Sequence, residues 1–429
     1  MSNVPKLRFS GFSGDWEDKN FYGLLEEVLD FRGRTPKKLG MDWGEGNIIS
    51  LSANNVKKGY IDYDAECNLG SVALYEKWMG KVSLEKNDIV FTMEAPLGNA
   101  LLIPDSQKYI LSQRVVAFKT KQYIDNFFLI QLIWSRSFQS RISLLSTGST
   151  AKGINQKTLK TIHIRLPSDE KEQQKIANCL SSIDTLITAQ TQKLDTLKAH
   201  KKGLMQQLFP ATGETIPKRR FPEFRDAGDW EDGVISDLAD TVMGNAFKSS
   251  DFVENGVQLI RMGNLYQGEL QLNRSPVYLP NDCSKTHSKF LVKPFDLLMS
   301  MTGTVGKRDY GFIVKIPDDC KQLLLNQRVI KIAPKESCIK GFLLQLLKSE
   351  KLLNGLYSFP GGTKQANLSA QQLKELRVSF PLLSEQQKIA NCLSSIDDLI
   401  TAQTKKIESL KAHKKGLMQQ LFPASEEMA

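Results

Sequence analysis

The sequence has no Pro-Pro dipeptide, no Cys-x-x-Cys pair and no apolar run long enough to span a bilayer. Without Pro-Pro it cannot form the Asn-Pro-Pro-Tyr-like motif that a methyltransferase acting on a base would need, and no glycine-rich loop for S-adenosylmethionine accompanies it. Its six cysteines lie at 67, 179, 283, 320, 338 and 392, and no histidine sits near them at ligand spacing, so no metal site is expected and reduced thiols are the default. Met1 leads into SNVPKLRFS, which lacks the apolar core of a signal peptide, so a cytoplasmic protein with no membrane association is expected. Negative charge is also in short supply. Against 57 Lys and Arg stand 47 Asp and Glu, a net charge of +10 with pI near 9.1, which suggests a polyanionic partner such as nucleic acid.

Proline is missing from one further place, the stretch 172–209, and this stretch is present twice. EQQKIANCLSSIDTLITAQTQKLDTLKAHKKGLMQQLFPA, residues 172–211, recurs at 385–424 with five changes and a constant offset of 213. An internal repeat of this kind divides the chain into two units of one plan. Apolar residues at Ile176, Leu180, Ile183, Ile187, Leu194, Leu197, Leu204 and Leu208 take the alternating steps of a heptad seam, with Gln190 and Lys201 as polar members. A continuous helix over 172–209 would be about 57 Å long at 1.5 Å per residue. Of the five changes, only Leu194/Ile407 falls on the seam, as expected if the two helices pack along it. Antiparallel packing would bring Ile176, Leu180, Ile183, Ile187, Gln190 and Leu197 against Ile389, Leu393, Ile396, Ile400, Gln403 and Leu410, with Gln190 meeting Gln403 at the centre. A recent duplication that has not drifted is the alternative.

Each helix follows a globular unit, and each unit opens on a similar leader, PKLRFSGFSGDWED or PKRRFPEFRDAGDWED. In the first unit FYGLLEEVLD is expected as a short helix, NIISLSANNVKKGYID as two strands about a turn, and DIVFTM and YILSQRVVAFK as buried strands. DNFFLIQLIWSRSFQSRI is a covering helix, and LKTIHIRLP a last strand. The second unit repeats the order with different residues, at a constant 214 positions from Gln113 to Pro167. The fold class expected is mixed α/β: globular units at 1–168 and 223–382, a long helix at 169–210, a second long helix and tail at 383–429, and a linker at 211–222, with pseudo-twofold symmetry.

Candidate binding residues cluster in loops. They are Arg32, Arg34, Lys37 and Lys38; Asn54, Asn55, Lys57 and Lys58; and Lys152 and Asn155. Their second-unit counterparts are Asn245 and Lys248, Arg261 and Asn264, and Lys364, Gln365 and Asn367. Arg and Lys pair with guanine, and Asn and Gln with adenine, through hydrogen bonds in the major groove. As a set in matching loops they favour groove contact, although any one of them alone reads as a solvated turn. Gln113-Arg114 and Gln327-Arg328 fall inside expected strands, where a structural hydrogen bond or ion pair is favoured. GTVGKR at 303–308 fails as a phosphate loop, because its glycines are too close and Arg308 stands where Ser or Thr is required. Asp105 with Lys108, and Asp318, Asp319 and Lys321, lack a third residue for a nuclease site. His200 and His413 read as part of a solvated basic helix face.

The twofold plan, the leaders ending GDWED, the loops GSTAKGIN and GGTKQANL, the strands ending RLP and SFP, and the EQQKIANCLSSID helices together resemble the DNA-specificity subunit of a Type I restriction-modification system. The resemblance covers nearly the whole chain. It implies two target-recognition domains, each reading one half of a split double-stranded DNA site, separated by antiparallel helices. It also implies two methyltransferase subunits docked on the helices and two ATP-dependent restriction subunits, with S-adenosylmethionine, ATP and Mg bound by those partners and no catalytic residue here. A stand-alone bipartite DNA-binding regulator is the alternative.

Overall fold

The repeated stretch is helical from Glu170 to Leu208 and again from Leu383 to Leu421, 39 residues each, in a computed structural model that describes residues 4–148, 151–359 and 365–423. Acidic side chains in the first turn, Glu170 and Glu172 in one helix and Glu385 in the other, suit the positive end of the helix dipole. Pro210 and Pro423 follow the last turns, where a ring can no longer break an internal hydrogen bond. These bounds fall inside the expected spans 169–210 and 383–429. No helix among the described residues is long and apolar enough to cross a membrane.

Contacts group the chain into two units, Met1–Thr191 with Lys405–Ala429, and Gln192–Thr404. Each long helix therefore contributes a segment to both.

In the first unit a four-stranded antiparallel sheet runs in the order 25–29, 115–120, 89–92, 100–102. Ile89–Thr92 is buried at every position, and its alternating side chains feed two cores, as a strand covered on both faces requires. Ile89 and Phe91 join the core shared with the helices, while Val90 joins the core shared with a smaller sheet of 69–70, 48–51 and 109–111. The leader supplies Trp16, 3% exposed, and then the strand Glu17–Asn20, which pairs with the last strand, His163–Leu166.

The second unit has the same plan. Its sheets are 239–243, 329–334, 297–300, 313–315 and 278–279, 257–260, 323–325, 291–292, and its leader strand Glu231–Val234 pairs with Arg377–Phe380. Leu297 and Met299 face the helix-side core and Leu298 faces the other.

Several local expectations are corrected. FYGLLEEVLD is a single 3-10 turn, Phe21–Leu24, followed by the strand Leu25–Leu29, because Leu25, Val28 and Leu29 pair with strand 115–120. The expected hairpin at 47–62 keeps only its first strand, Ile48–Leu51; Val56 and Ile61 form an isolated bridge. The covering helix is two helices, Asn126–Trp134 and Arg136–Leu144. Ser135 ends the first and caps the second, its Oγ accepting from the Phe138 amide at 3.3 Å.

Each unit draws its two helix segments together in the same way. In the first, Lys414 Nζ lies 2.6 Å from Asp184 Oδ2, and Gln131 of the covering helix donates to the same carboxylate at 3.1 Å. From Lys414 the second helix runs on to Phe422, which packs against Trp16 and Phe128 at 6.4 and 5.7 Å in the core that also holds Ile176 and Leu180. The two segments are therefore antiparallel. In the second unit Lys201 meets Asp397 at 2.7 Å, Gln345 donates to Asp397 at 2.8 Å, and Phe209 packs on Trp230 and Phe342, sharing their core with Ile389 and Leu393.

Two further repeated residues are locked inside each unit. Glu172, 1% exposed, accepts from Arg8 Nε at 2.8 Å and Nη2 at 2.7 Å and from Trp16 Nε1 at 3.3 Å. Gln173, also 1% exposed, accepts from the Asp125 amide and donates to the carbonyls of Tyr123 and Pro167, which ties the covering helix to the last strand. Glu385 with Arg220, and Gln386 with Ile339, Ser337 and Pro381, repeat the arrangement.

Candidate nucleic-acid interface

In the first unit three groups of residues converge on a cavity of about 690 Å³: Arg32–Thr35; Thr147 and Gly148 with Ala151 and Gly153–Asn155; and Gln113 with Arg114. Arg32 is held by Asp30, Nε to Oδ1 at 2.9 Å and Nη2 to Oδ2 at 2.6 Å, and Gln156 Nε2 donates to the same carboxylate at 2.5 Å. Burial opposes ionisation of Asp30, but the hydrogen bonds from Arg32 and Gln156 outweigh it and bring its pKa below the ordinary carboxylate range. Arg34 lies over the Phe31 ring at 4.5 Å and donates to the Trp78 carbonyl. Gly148 has φ +104°, and a Cβ there would stand 2.3 Å from the Ala151 carbonyl oxygen, so this turn requires glycine.

The matching cleft of the second unit, about 600 Å³, is lined by Arg261–Asn264, Arg274 and Asn326–Arg328, with Phe247 and Phe252 on its wall. Arg261 Nη2 donates to the Ser275 carbonyl at 2.7 Å, and its buried Nε has no hydrogen-bond partner among the described residues. Arg274 stacks over Tyr266 at 3.9 Å. Gly244 runs so close beneath that a Cβ would lie 2.1 Å from the Asn326 carbonyl oxygen. Both clefts present guanidinium groups fixed by neighbours, which suits planar paired recognition of base edges or phosphate.

The structure gathers Arg32, Arg34 and Asn155 in one cleft, and Arg261 and Asn264 in the other. Two expected readers are occupied by their own backbone. Asn55, 1% exposed, accepts from the Ser52 amide and donates to the Ser50 carbonyl; Asn264, 2% exposed, accepts from the Arg261 amide and donates to the carbonyls of Gln271 and Arg274. Both are turn-forming amides, and a base contact is corrected to a structural role. Asn155 caps the short helix Gln156–Leu159 through the Thr158 amide, yet stays exposed at the cleft.

Asn54, Lys57 and Lys58 are not among the cleft residues. Asn54 donates to the Glu66 carbonyl, Lys57 to the Asn54 carbonyl, and Lys58 lies over Trp134 at 5.8 Å. Burial, then the Lys414 charge, lower the Lys58 pKa. Lys37 and Lys38 sit on the exposed turn Pro36–Leu39, where Lys38 donates to the Gly33 carbonyl, and Lys152 reaches Ser143 at 3.4 Å. Asn245 forms a bridge with Asn326, Lys248 precedes the turn Ser249–Asp251, and Gln365 and Asn367 pair with Thr304 and Thr302. Lys364 lies outside the described residues.

The model of the family described as Type I restriction modification DNA specificity domain matches residues 14–199 and again 227–412, an offset of 213 that coincides with the helix repeat. The chain belongs to this family. A Type I restriction enzyme MjaVIII specificity subunit from Methanocaldococcus jannaschii is 28% identical over 95% of this chain and 92% of its own length. The EcoBI specificity subunit from Escherichia coli is 20% identical over 74% and 68%. The crystal structure of a Type-I restriction-modification system S subunit from M. genitalium superposes with a TM-score of 0.60 at 17% identity, covering 98% of this chain and all of that one. A chain from a study of complex assembly and conformational transition in the type I R-M system gives 0.55 at 15%, covering 95% and 97%. At these identities the solved structures establish the fold.

Sequence reasoning passed over one feature of this specificity-domain chain. Gln113-Arg114 and Gln327-Arg328 were expected inside strands; each pair instead forms an exposed two-residue turn between consecutive strands, at the mouth of its cleft. Arg114 has φ +66°, an uncommon conformation for a residue with a side chain, and its Nε lies 3.3 Å from Glu94 Oε1. The available signal was the identity of the dipeptide in two units whose other loop residues differ.

Proposed function

We propose that the chain is the DNA-recognition subunit of a Type I restriction-modification assembly, with 1–168 and 223–382 as target-recognition domains that read the two different halves of one bipartite site. The observation that carries this reading is the pair of corresponding clefts, each lined by anchored guanidinium and amide groups, with dissimilar linings apart from the Gln-Arg turn. Dissimilar linings imply dissimilar half-sites. Two weak readers joined in one chain combine their discrimination, which a single small domain could not supply against a genome of competing sites.

Partner docking is supported by the surface of the long helices. Glu172, Gln173, Leu208 and Phe209 are held in both copies by contacts inside the units. That explanation does not reach Gln174, Asn178, Ser182, Lys193 or His200, which are exposed and identical to exposed residues 213 positions on. Leu186 and its counterpart Leu399 are 42% and 56% exposed. Two equivalent surfaces suit two copies of a methyltransferase subunit, with two restriction subunits completing the assembly and S-adenosylmethionine, ATP and Mg held by those partners. With labelled S-adenosylmethionine and target DNA, methyl transfer is expected only when the methyltransferase subunit is added. Transfer by the chain alone would end this reading. Specific binding with no transfer even in the partner's presence would favour a stand-alone regulator. Affinity for DNA should fall steeply between about 50 and 200 mM salt as counterions are released, and a flat profile would exclude DNA as the ligand.

The seam residues Ile176, Leu180, Ile183, Ile187, Gln190 and Leu197, with Ile389, Leu393, Ile396, Ile400, Gln403 and Leu410, are buried or half-buried. Their pairing, and a central Gln190 to Gln403 contact, belong to the proposal. Replacing both glutamines by leucine is expected to raise the melting temperature by a few degrees while loosening register, since a polar seam residue exchanges stability for alignment. A lowered melting temperature would count against the contact.

A further inference from the structure

The second unit holds a cavity of about 690 Å³ between the C-terminal turns of the first long helix, the following linker, the Lys348–Ser349 turn and the covering helix Glu350–Tyr357. Seven cationic residues line it: Lys198, Lys201, Lys202, Lys218, Arg308, Lys348 and Lys351. Glu350 is the one acidic residue among the described residues that line it, and it accepts from Gln206 at 3.2 Å. Met205, Phe209, Pro210 and Leu353 give it an apolar wall.

Some of these cations are accounted for. Lys201 pairs with Asp397 at 2.7 Å, Arg308 donates to Asn354 at 3.0 Å, and Lys351 donates to the Glu214 carbonyl at 2.7 Å. Lys348 is different. Its ammonium has no hydrogen-bond or ion-pair partner among the described residues, and its pKa is lowered by burial and then by the Lys201 charge. Asp397, the carboxylate that partly offsets this, is already shared between Lys201 and Gln345.

The fold does not require this arrangement. At the constant offset of 214, Lys348 corresponds to Trp134 and Lys351 to Ser137. In the first unit Lys414 and Lys58 both lie over the Trp134 indole, at 5.1 and 5.8 Å, an attractive neighbour to each; the second unit puts the Lys348 ammonium in the place of that ring. Like charges gathered in a half-buried site are unfavourable unless an anion joins them. We propose that this cavity is a binding site for a phosphate-bearing anion, with Lys348, Lys202 and Lys218 as ligands to phosphate oxygens and the Met205–Leu353 wall against the apolar part of the same molecule. The chemistry is common to a free nucleoside triphosphate and to the backbone of DNA lying beyond the recognition cleft, and its volume is in the range of small-molecule sites.

Calorimetric titration of the full chain with ATP in the absence of divalent metal, and binding of duplexes with short and long flanks around the target, separate the two sources. The variants are Lys348→Gln with Lys351→Gln, and, as a pair at more exposed positions, Lys202→Gln with Lys218→Gln. Saturable ATP binding that weakens roughly tenfold or more in both variants assigns a free nucleotide. No ATP binding, but a comparable loss confined to long-flank duplexes, assigns the DNA backbone. Unchanged affinity for ATP and for both duplexes in both folded variants overturns the site. The ATP arm needs no DNA recognition, so its result stands apart from that of the proposed function.

Discussion

Arg220→Ala is expected to destabilise the second unit by about 3 to 5 kcal/mol, the effect of leaving a buried carboxylate without its partner. Glu385 is 1% exposed, and Arg220 donates to it from Nε at 2.9 Å and Nη2 at 2.5 Å while also binding the Ala227 and Gly228 carbonyls. At roughly 2–4 °C per kcal/mol for a unit of this size, the melting transition should fall by about 10 °C. Arg8→Ala should lose less, by about 1 kcal/mol. Trp16 Nε1 still donates to Glu172 at 3.3 Å in the first unit, whereas Trp230 Nε1 has no hydrogen-bond partner among the described residues of the second. Replacing Arg220 and Glu385 together by methionine should recover most of the loss, because a buried ion pair is worth little against well-packed apolar groups. Calorimetry of the three variants beside the parent tests this. Arg220→Ala melting within two or three degrees of the parent, or below the double variant by nothing, would show that the pair does not fasten the leader to the helix.

This ion pair also marks the limit of what the sequence makes legible. The long helices could be read almost to the residue, because a seam that repeats over ten turns without proline is a local signal. The strand Ile89–Thr92 was legible for the same reason. Glu172 and Gln173 were not, since nothing local separates a buried carboxylate near a helix N-terminus from the solvated Glu170 two residues before it; the difference lies in Arg8 and Trp16, about 160 positions away. The LFPA ends of the repeat were no more legible, since the burial of Phe209 and Phe422 in the unit cores depends on partners far away in sequence. In the clefts, the positions of Arg32 and Arg261 could be anticipated from loop composition. The roles of Asn55 and Asn264 could not, because an amide that closes its own turn and one that reaches a base look the same in sequence. Gln113 and Arg114 were hidden by the β-branched residues after them, which mask a turn made without glycine.

Arg114→Gln together with Arg328→Gln is expected to weaken DNA binding by a hundredfold or more, at roughly tenfold for each charge-assisted hydrogen bond lost, and to do so almost equally for every sequence. Residues that differ between the clefts, such as Arg34 and Arg261, can read what differs between half-sites. A Gln-Arg turn held in both must touch what the half-sites share, and the sugar-phosphate backbone is common to all sequences. The slope of log affinity against log salt should therefore shrink by about one for each arginine removed. Arg328 should matter more than Arg114. Glu94, which follows Met93, holds Arg114 at 3.3 Å and must release it, while the residue after Met301 is Thr302 and no carboxylate pairs with Arg328 among the described residues. Relaxed preference at a single base pair, with the salt slope unchanged, would move these arginines from backbone anchors to base readers.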